Sequence, residues 1–451
     1  MKNGILLIEE SKEELIEEIL RLRKENEALK RKLGEKEQTE LRKKFLKLQR
    51  FELRVKRAKR PGQKAGHLGI TRTKPEVIDQ VIEQILKSCP DCHKPLSRSQ
   101  EILEHIQEDI IPAKPQVTCY KKHRYYCKEC RKLVTAGYAL EEIPHGNLGP
   151  NVLIQTLILK YHHGLPFNKI QELFESLCHF KVSQGALAQA LQRLSEWLKV
   201  EVDEILLAIR ASPHIHMDET GWKVSGTNHW LWAAVNQRLA YYQIAQSRGA
   251  KIPKSILPKD YSGILVTDFY SAYNRMPGRK QKCLVHLMRE MHQLYLKDST
   301  QAYARAHQKL KRILADALRL KDQQGILEGG VYQRRLKYLK QRLFIWSTQS
   351  YRNKHLIRLS KRFLKHWVHL LTFLENPEIS FNNNLAERMI RRHVIVRNRS
   401  FQNRSKRGAL AHQRLTSLLH TLQLQGQNTL AFFKNAYLQH RQGNPIPILS
   451  L

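Results

Sequence analysis

At residue 212 the hydrophobic pattern of the chain changes its period from about 3.6 to 2, and that switch limits the folds open to it. The stretch HIHMDETGWKV, residues 214–224, sets Ile215 and Met217 on one face and His214, His216 and Asp218 on the other, then puts Glu219 beside Asp218. NHWLWAAVN (228–236) and LAYYQIAQ (239–246) continue the alternation, so three successive strands are expected, paired as a meander. A helix around 249–256 follows, and then GILVTDFYSAYN (263–274), a buried strand ending at Asp268. QKCLVHL (281–287) reads either as a fifth strand or as the start of a helix. With helical patterns over 145–200 and 289–375, one mixed sheet flanked by helices is the expected architecture.

Charge narrows the partner. The 451 residues carry 78 Lys plus Arg against 41 Asp plus Glu, a formal charge of +37. A polyanion is the natural counterpart, because each basic group set against a phosphate releases a counterion. Double-stranded DNA is therefore the expected partner. No apolar run approaches the roughly 20 residues a membrane-spanning helix needs, and no lipidation motif is present. MKNGILLIEESKEE turns acidic too early for a signal peptide. A cytoplasmic, nucleoid-associated protein without a membrane partner is expected.

Seven cysteines, an odd number in a long chain, argue against a disulfide framework. Four form two CxxC pairs, Cys89 with Cys92 and Cys127 with Cys130. Two such pairs in polar, turn-rich sequence suit a closed, structural Zn²⁺ site of four thiolates; a redox pair is the other reading. Cys283 and His286 have the spacing of a metal half-site, or are buried packing.

Near the N-terminus Ile5, Lys12, Ile19, Asn26 and Leu33 fall at one heptad position and Ile8, Leu15, Leu22 and Leu29 at the other. This pattern predicts a parallel coiled coil and a homodimer. The next segment, 41–64, holds eleven Lys or Arg and one acid, and reads as a phosphate-contacting arm that includes Lys56, Arg57, Lys59 and Arg60. RPGQKAGHLG (60–69) is a linker. Between 145 and 200 a helix, an HGLP break, and two helices around CHFKV, with Ser183 as an N-cap, give the outline of a helix-turn-helix or of an ordinary helical hairpin.

If the first and fourth strands are neighbours, Asp218 and Asp268 lie side by side at the sheet edge where α/β proteins place their sites. A helix in NPEISFNNNLAERMIRRHVIVRNRS, carrying Glu387 in its interior, can add a third carboxylate. Such a cluster invites two Mg²⁺ (or Mn²⁺) ions, which support phosphodiester chemistry. Strand-end Asp and helical Glu are also common without any such role.

MDETGW, TDFYSAY, CLVH and NNNLAERMIR, in this order, resemble the DDE transposases of bacterial insertion sequences, in the family numbered sixty-six. The likeness runs over roughly residues 60–435 and includes the CxxC segment. It implies a ribonuclease H-like core with a helical insertion between the second Asp and the Glu, which fits a gap of 119 residues there against 50 between the Asp pair. It implies that Asp218, Asp268 and Glu387 are the metal-binding triad that cuts DNA strands and joins 3′ ends to a target. CLVHLMREM departs from the commoner Cys-Trp-Ala-His pattern with paired Arg, which leaves the role of Cys283 and His286 open.

Around the triad, Asn383 and Arg391 stand one turn either side of Glu387. The Asn can orient the carboxylate or a metal-bound water; the Arg can hold a phosphate or pair with Glu387. Residues 388–407 hold eight Lys or Arg, with Arg388, Arg391 and Arg392 the first three, and suit DNA passing the site. Trp222 either stacks on an unpaired base or belongs to the core. His216 supports Asp218 or is satisfied internally.

The expected fold class is multidomain α+β: a ribonuclease H-like mixed α/β core with a helical insertion, preceded by a coiled coil, a zinc-binding module and a helical DNA-binding segment. The parts are 1–40 coiled coil, 41–70 arm and linker, 71–144 zinc module and 145–210 helical segment. The core begins at 211–288, the insertion spans 289–376, and the catalytic helix and basic C-terminal region span 377–451. The expected function is transposition, with a non-catalytic DNA-binding regulator or a nuclease without strand transfer as rivals.

Overall fold

The computed structural model describes residues 75–98, 101–108, 110, 113–144, 146–297, 300–444 and 446. The heptad of 1–40 and the basic arm with Lys56, Arg57, Lys59 and Arg60 lie outside the described residues. The chain divides into two compact units, residues 1–112 and 113–451.

In the first unit a bridge between Ser88 and Pro95 closes a tight turn around Cys89 and Cys92, in which the Cys89 N–H donates to the Lys94 carbonyl at 3.0 Å. The second unit opens with a hairpin of β1 (Arg124–Cys127) and β2 (Lys132–Thr135), whose turn carries Cys127 and Cys130. Helices follow: α1 (Pro150–Leu157) runs on into a π-helical turn, then come α2 (Phe167–Cys178), α3 (Gln184–Trp197) and α4 (Lys199–Ala211). Ser183 caps α3 as expected, its hydroxyl accepting from the Ala186 N–H.

The period-two segment forms β3 (His214–Val224), β4 (Thr227–Val235) and β5 (Ala240–Ala245), antiparallel neighbours in sequence order. Ser225 and Gly226, both at positive φ, make the two-residue turn from β3 to β4 that matches the strand twist. After α5 (Lys251–Ile256) come β6 (Ile264–Thr267), parallel to β3, and β7 (Arg279–Lys282), parallel to β6. The five-stranded mixed sheet has the order β5-β4-β3-β6-β7. Both readings of 281–287 are met in part: β7 ends at Lys282 and α6 (Leu284–Lys297) begins two residues on, with Cys283 at the junction.

Helices α6, α7 (Gln301–Asp322), α8 (Gly329–Thr348) and α9 (Lys354–His366) bury a core of their own around Leu310, Leu343, Trp346 and Phe363, which reaches the sheet through Ile264 and Val266. Then come α10 (Asn384–Ser400), α11 (Lys406–Leu424) and α12 (Thr429–Gln442). Helices α1, α3 and α4 are not a free-standing body, since Ile154, Leu191 and Ile205 share one core with Ile215, Met217 and Trp232 of the sheet and Leu415 of α11.

Helix α11 also covers the exposed edge of the sheet. The N–H groups of Ala240, Tyr242 and Ile244 on β5 donate to Thr421 Oγ1, Ser417 Oγ and Gln413 Oε1 at 3.0, 2.9 and 2.9 Å. Every second strand residue advances about 6.7 Å and every fourth helix residue about 6 Å, so one helix face can serve three successive edge donors. An edge strand left bare would pair with other chains; here it is closed.

Candidate active site

Strand pairing decides where the acids go. The β3–β6 register sets His214 opposite Ile264, Ile215 opposite Leu265 and His216 opposite Val266, an offset of 50. Continuing that offset by two residues brings Asp218 level with Asp268, which directly follows β6. Asp218 Oδ1 accepts the Glu219 N–H at 2.9 Å, and Asp268 Oδ1 accepts the Tyr270 N–H at 2.9 Å, an Asx turn that ends the strand.

Glu387 lies in the first turn of α10, not in its interior. The helix begins there because Asn383 is fixed before it. Asn383 is fully buried; its Nδ2 donates to the Met217 carbonyl at 2.8 Å, its Oδ1 sits 3.1 Å from His216 Nδ1, and its backbone N–H points at Cys283 Sγ at 3.3 Å. Asn383 thus ties the start of the helix to the residue preceding Asp218 and does not touch the carboxylates themselves. His216 is satisfied in the core through the same contact, and burial holds its imidazole neutral, lowered to about 4. Replacing Asn383 by Leu keeps the volume but orphans the Met217 carbonyl and the His216 ring. A loss of about 3 kcal/mol in urea unfolding is expected; a loss under 1 kcal/mol would show that α10 is seated by other contacts.

Asp218 feels its acidic neighbours. Burial, then the charges of Glu219, Asp268 and Glu387, raise the Asp218 carboxyl to about 8 against the single N–H it accepts. Glu387 Oε1 is buried and has no hydrogen-bond partner among the described residues. Asp218 thus lies within electrostatic reach of Asp268 and Glu387, and carboxylate oxygens are the donors that a hard divalent cation takes.

Glu219, the neighbouring acid, is committed elsewhere. Its side chain is 2% exposed and accepts from Arg248 Nη2 at 2.9 Å and from the Tyr273 hydroxyl at 2.5 Å. Arg248 in turn stacks on Trp230 and Tyr270. Nothing in the sequence marked this arrangement, because its five side chains come from four separated segments.

Beside Asp268 opens a cleft of about 510 Å³ lined by His286, Arg289, Lys297, Arg358 and Arg362 among others. Arg388 and Arg391 are exposed on α10, and Arg391 makes no ion pair with Glu387, which faces His286. Arg392 is half-buried and bonded to Gln423. Of the two readings of Trp222, the structure takes the core. It is 3% exposed, donates from Nε1 to Asn403 Oδ1 at 2.6 Å and packs on His412, so it is not free to stack on a base. Helix α10 and its own hydrogen bond cover it.

Each CxxC pair brackets a tight turn. Cys127 Sγ accepts the Cys130 N–H at 3.4 Å, and backbone donors lower both the Cys127 and the Cys89 thiols, those of Cys92 and Asp91 acting on Cys89. The two turns belong to different units of the chain.

Asp218 and Asp268, level on neighbouring parallel strands next to a basic cleft on a chain of charge +37, fit a protein that processes nucleic acid. Residues 145–411, more than half of the chain, match the transposase IS66 family, and the chain belongs to that family. It is also similar to two proteins of Sinorhizobium fredii. Uncharacterized protein y4jD is 25% identical over 390 residues, covering 78% of this chain and 75% of that one. Uncharacterized protein y4qI is 26% identical over 428 residues, covering 86% and 76%. No helix among the described residues is long and apolar enough to cross a membrane.

Proposed function

We propose that the protein cleaves DNA strands at transposon ends and joins the freed 3′-hydroxyls to target DNA, using Asp218, Asp268 and Glu387 as metal-binding catalytic acids on a ribonuclease H-like core. The observation that carries this reading is the parallel pairing of β3 with β6, whose offset of 50 residues brings Asp218 level with Asp268. The charge of Glu387 acting on Asp218 and the buried tie of Asn383 to Met217 support Glu387 as the third member.

In the first reaction a water oxygen attacks phosphorus, and the 3′ oxygen leaves as a hydroxyl. In the second, that hydroxyl attacks a target phosphate and the target's own 3′ oxygen leaves. Each step exchanges one P–O bond for another, so no oxidant or nucleotide cofactor enters. Two bound Mg²⁺ or Mn²⁺ ions supply the charge that activates the attacking oxygen and stabilises the leaving one. The protein's part is to hold Asp218 within β3, which runs on to Val224 and does not end at the acid as its sequence suggested, Asp268 directly after β6, and Glu387 on a helix start that Asn383 fixes. Arg388 and Arg391 are free on the solvent side of α10 to bind phosphates. Glu219 keeps Arg248 and Tyr273 in place instead of binding a cation.

Cys89, Cys92, Cys127 and Cys130 are proposed as thiolate ligands of structural Zn²⁺, supported by the N–H donors at Cys89 and Cys127. The N-terminal heptad and arm are proposed as the dimerising helix and a phosphate-contacting segment, in a cytoplasmic protein.

The test uses supercoiled DNA carrying the genomic sequences that flank the coding region, with Mg²⁺. Wild type is expected to nick it and to yield joined products, and Asp268→Asn neither. Equal nicking by both proteins would remove the enzymatic reading in favour of a regulator. Nicking without joined products from a 3′-hydroxyl donor would leave a nuclease.

A further inference from the structure

The transposase reading leaves one cluster unused. Cys283, His286 and Glu387 each offer a ligand atom, and the three atoms lie within 4.8 Å of one another. His286 Nδ1 stands 3.5 Å from Glu387 Oε1, both atoms are buried, and neither has a hydrogen-bond partner among the described residues. Two such atoms waste their polarity unless something sits between them. Ligands sharing a tetrahedral Zn²⁺ with bonds near 2.0–2.1 Å are about 3.3 Å apart, close to the spacing found.

The sulfur is prepared for the same role. Cys283 is wholly buried at the junction of β7 and α6, and its Sγ accepts the Asn383 N–H at 3.3 Å, with further backbone donors at His286 and Val285. These N–H groups are placed to hold a thiolate, the form that binds metal, once a cation is present; without one, burial outweighs them and raises the thiol above its ordinary value. Cys283 just before α6 and His286 within its first turn lie three residues apart, so they meet on one side of it. Glu387 arrives from α10, placed by the same Asn383.

We propose that Cys283, His286 and Glu387 form a site for a thiophilic divalent cation such as Zn²⁺, distinct from the hard-cation site of Asp218 and Asp268, and that its occupancy competes for Glu387. One sulfur, one imidazole and one carboxylate select Zn²⁺, Co²⁺ or Cd²⁺ over Mg²⁺ or Ca²⁺, which prefer oxygen alone. Three protein ligands leave the fourth position open, and His286 also lines the cleft beside Asp268. Only the competition rests on the proposed role of Glu387; binding does not.

Titration of the full-length protein with Co²⁺ tests the site through the thiolate-to-cobalt charge-transfer absorbance. The CxxC turns contribute equally to every protein compared, so the difference between proteins is what counts. Wild type is expected to bind one Co²⁺ per chain more than Cys283→Ser, and excess Mg²⁺ is expected not to displace it. His286→Asn, at a partly exposed ring that folding tolerates, is expected to weaken that ion roughly tenfold or more. Asp268→Asn is expected to retain it, even if the protein proves to have no nuclease activity. Equal Co²⁺ stoichiometry and affinity in wild type, Cys283→Ser and His286→Asn overturns the site. Where nicking is observed, Zn²⁺ is expected to inhibit wild type at a concentration at least tenfold lower than His286→Asn; equal sensitivity overturns the competition.

Discussion

Asp218→Asn is expected to abolish metal-dependent nicking, by about a thousandfold or more, while making the metal-free protein more stable. The two effects have one cause. Losing an ionised ligand removes several kcal/mol of charge stabilisation in the transition state, and each 1.36 kcal/mol is about tenfold in rate. In the absence of cations the same carboxylate is a liability, since burial and then Glu219, Asp268 and Glu387 raise it to about 8 from an ordinary 3.8. The sign follows from linkage. A folded-state value above the unfolded one means that stability is fully present below pH 3.8 and is lost as pH rises toward 8. At pH 7.5 Asn avoids that loss, on the order of 2 kcal/mol after allowance for the open, hydrated side of the cluster. Thermal unfolding in chelator is therefore expected to occur a few degrees higher in the variant than in wild type. Added Mg²⁺ is expected to raise the midpoint of wild type only, because only wild type gains a ligand that binds the folded state. A variant that nicks at the wild-type rate, or that Mg²⁺ stabilises equally, would falsify the assignment of Asp218.

The second large effect is expected in acid. His393 of α10 and His412 and His420 of α11 are buried together, with His393 Nδ1 3.0 Å from His412 Nε2 and the Tyr242 hydroxyl 2.8 Å from His420 Nδ1. Burial, with some help from the charge of Arg392, lowers His393 to about 3; burial and then neighbouring His393 push His412 and His420 well below the ordinary range. Here the folded values lie under the unfolded 6.5, so the unfolded chain takes up protons first. Stability is fully present above pH 6.5 and falls as the pH drops from there toward 3, at up to about 4 kcal/mol per pH unit for three protons. Urea midpoints at pH 7.5, 6.0 and 5.0 check this above the range in which most carboxylates titrate. His393→Gln is expected to remove about a third of the slope. A midpoint unchanged between pH 7.5 and 5.0 would mean that the cluster accepts protons within the fold.

Several features were legible because they are local. Alternation in HIHMDETGWKV and the Ser183 cap depend on residues a few positions apart, and each formed as its pattern required. The junction at Cys283 was half legible, since a four-residue strand running straight into a helix has too few residues to show either period cleanly. Trp222 shows the opposite case. A strand residue beside a turn has the same local pattern whether or not another helix later covers it, and here α10 and Asn403 do. The role of Asn383 was illegible for the same reason: its partners Met217 and His216 are 166 and 167 residues away.

By itself, the sequence determined the strands, the strong positive charge, the two CxxC pairs and the place of Asp268 at a strand end, because periodicity, capping and composition act over a few bonds. Only the tertiary structure decided that Asp218 and Asp268 are level across a parallel pair, that Glu387 begins a helix, that Cys283 and His286 face it, and that α11 closes the edge of β5. Those outcomes depend on which surfaces the chain buries against each other. Burial is a property of three-dimensional neighbours, and distance along the chain does not encode it.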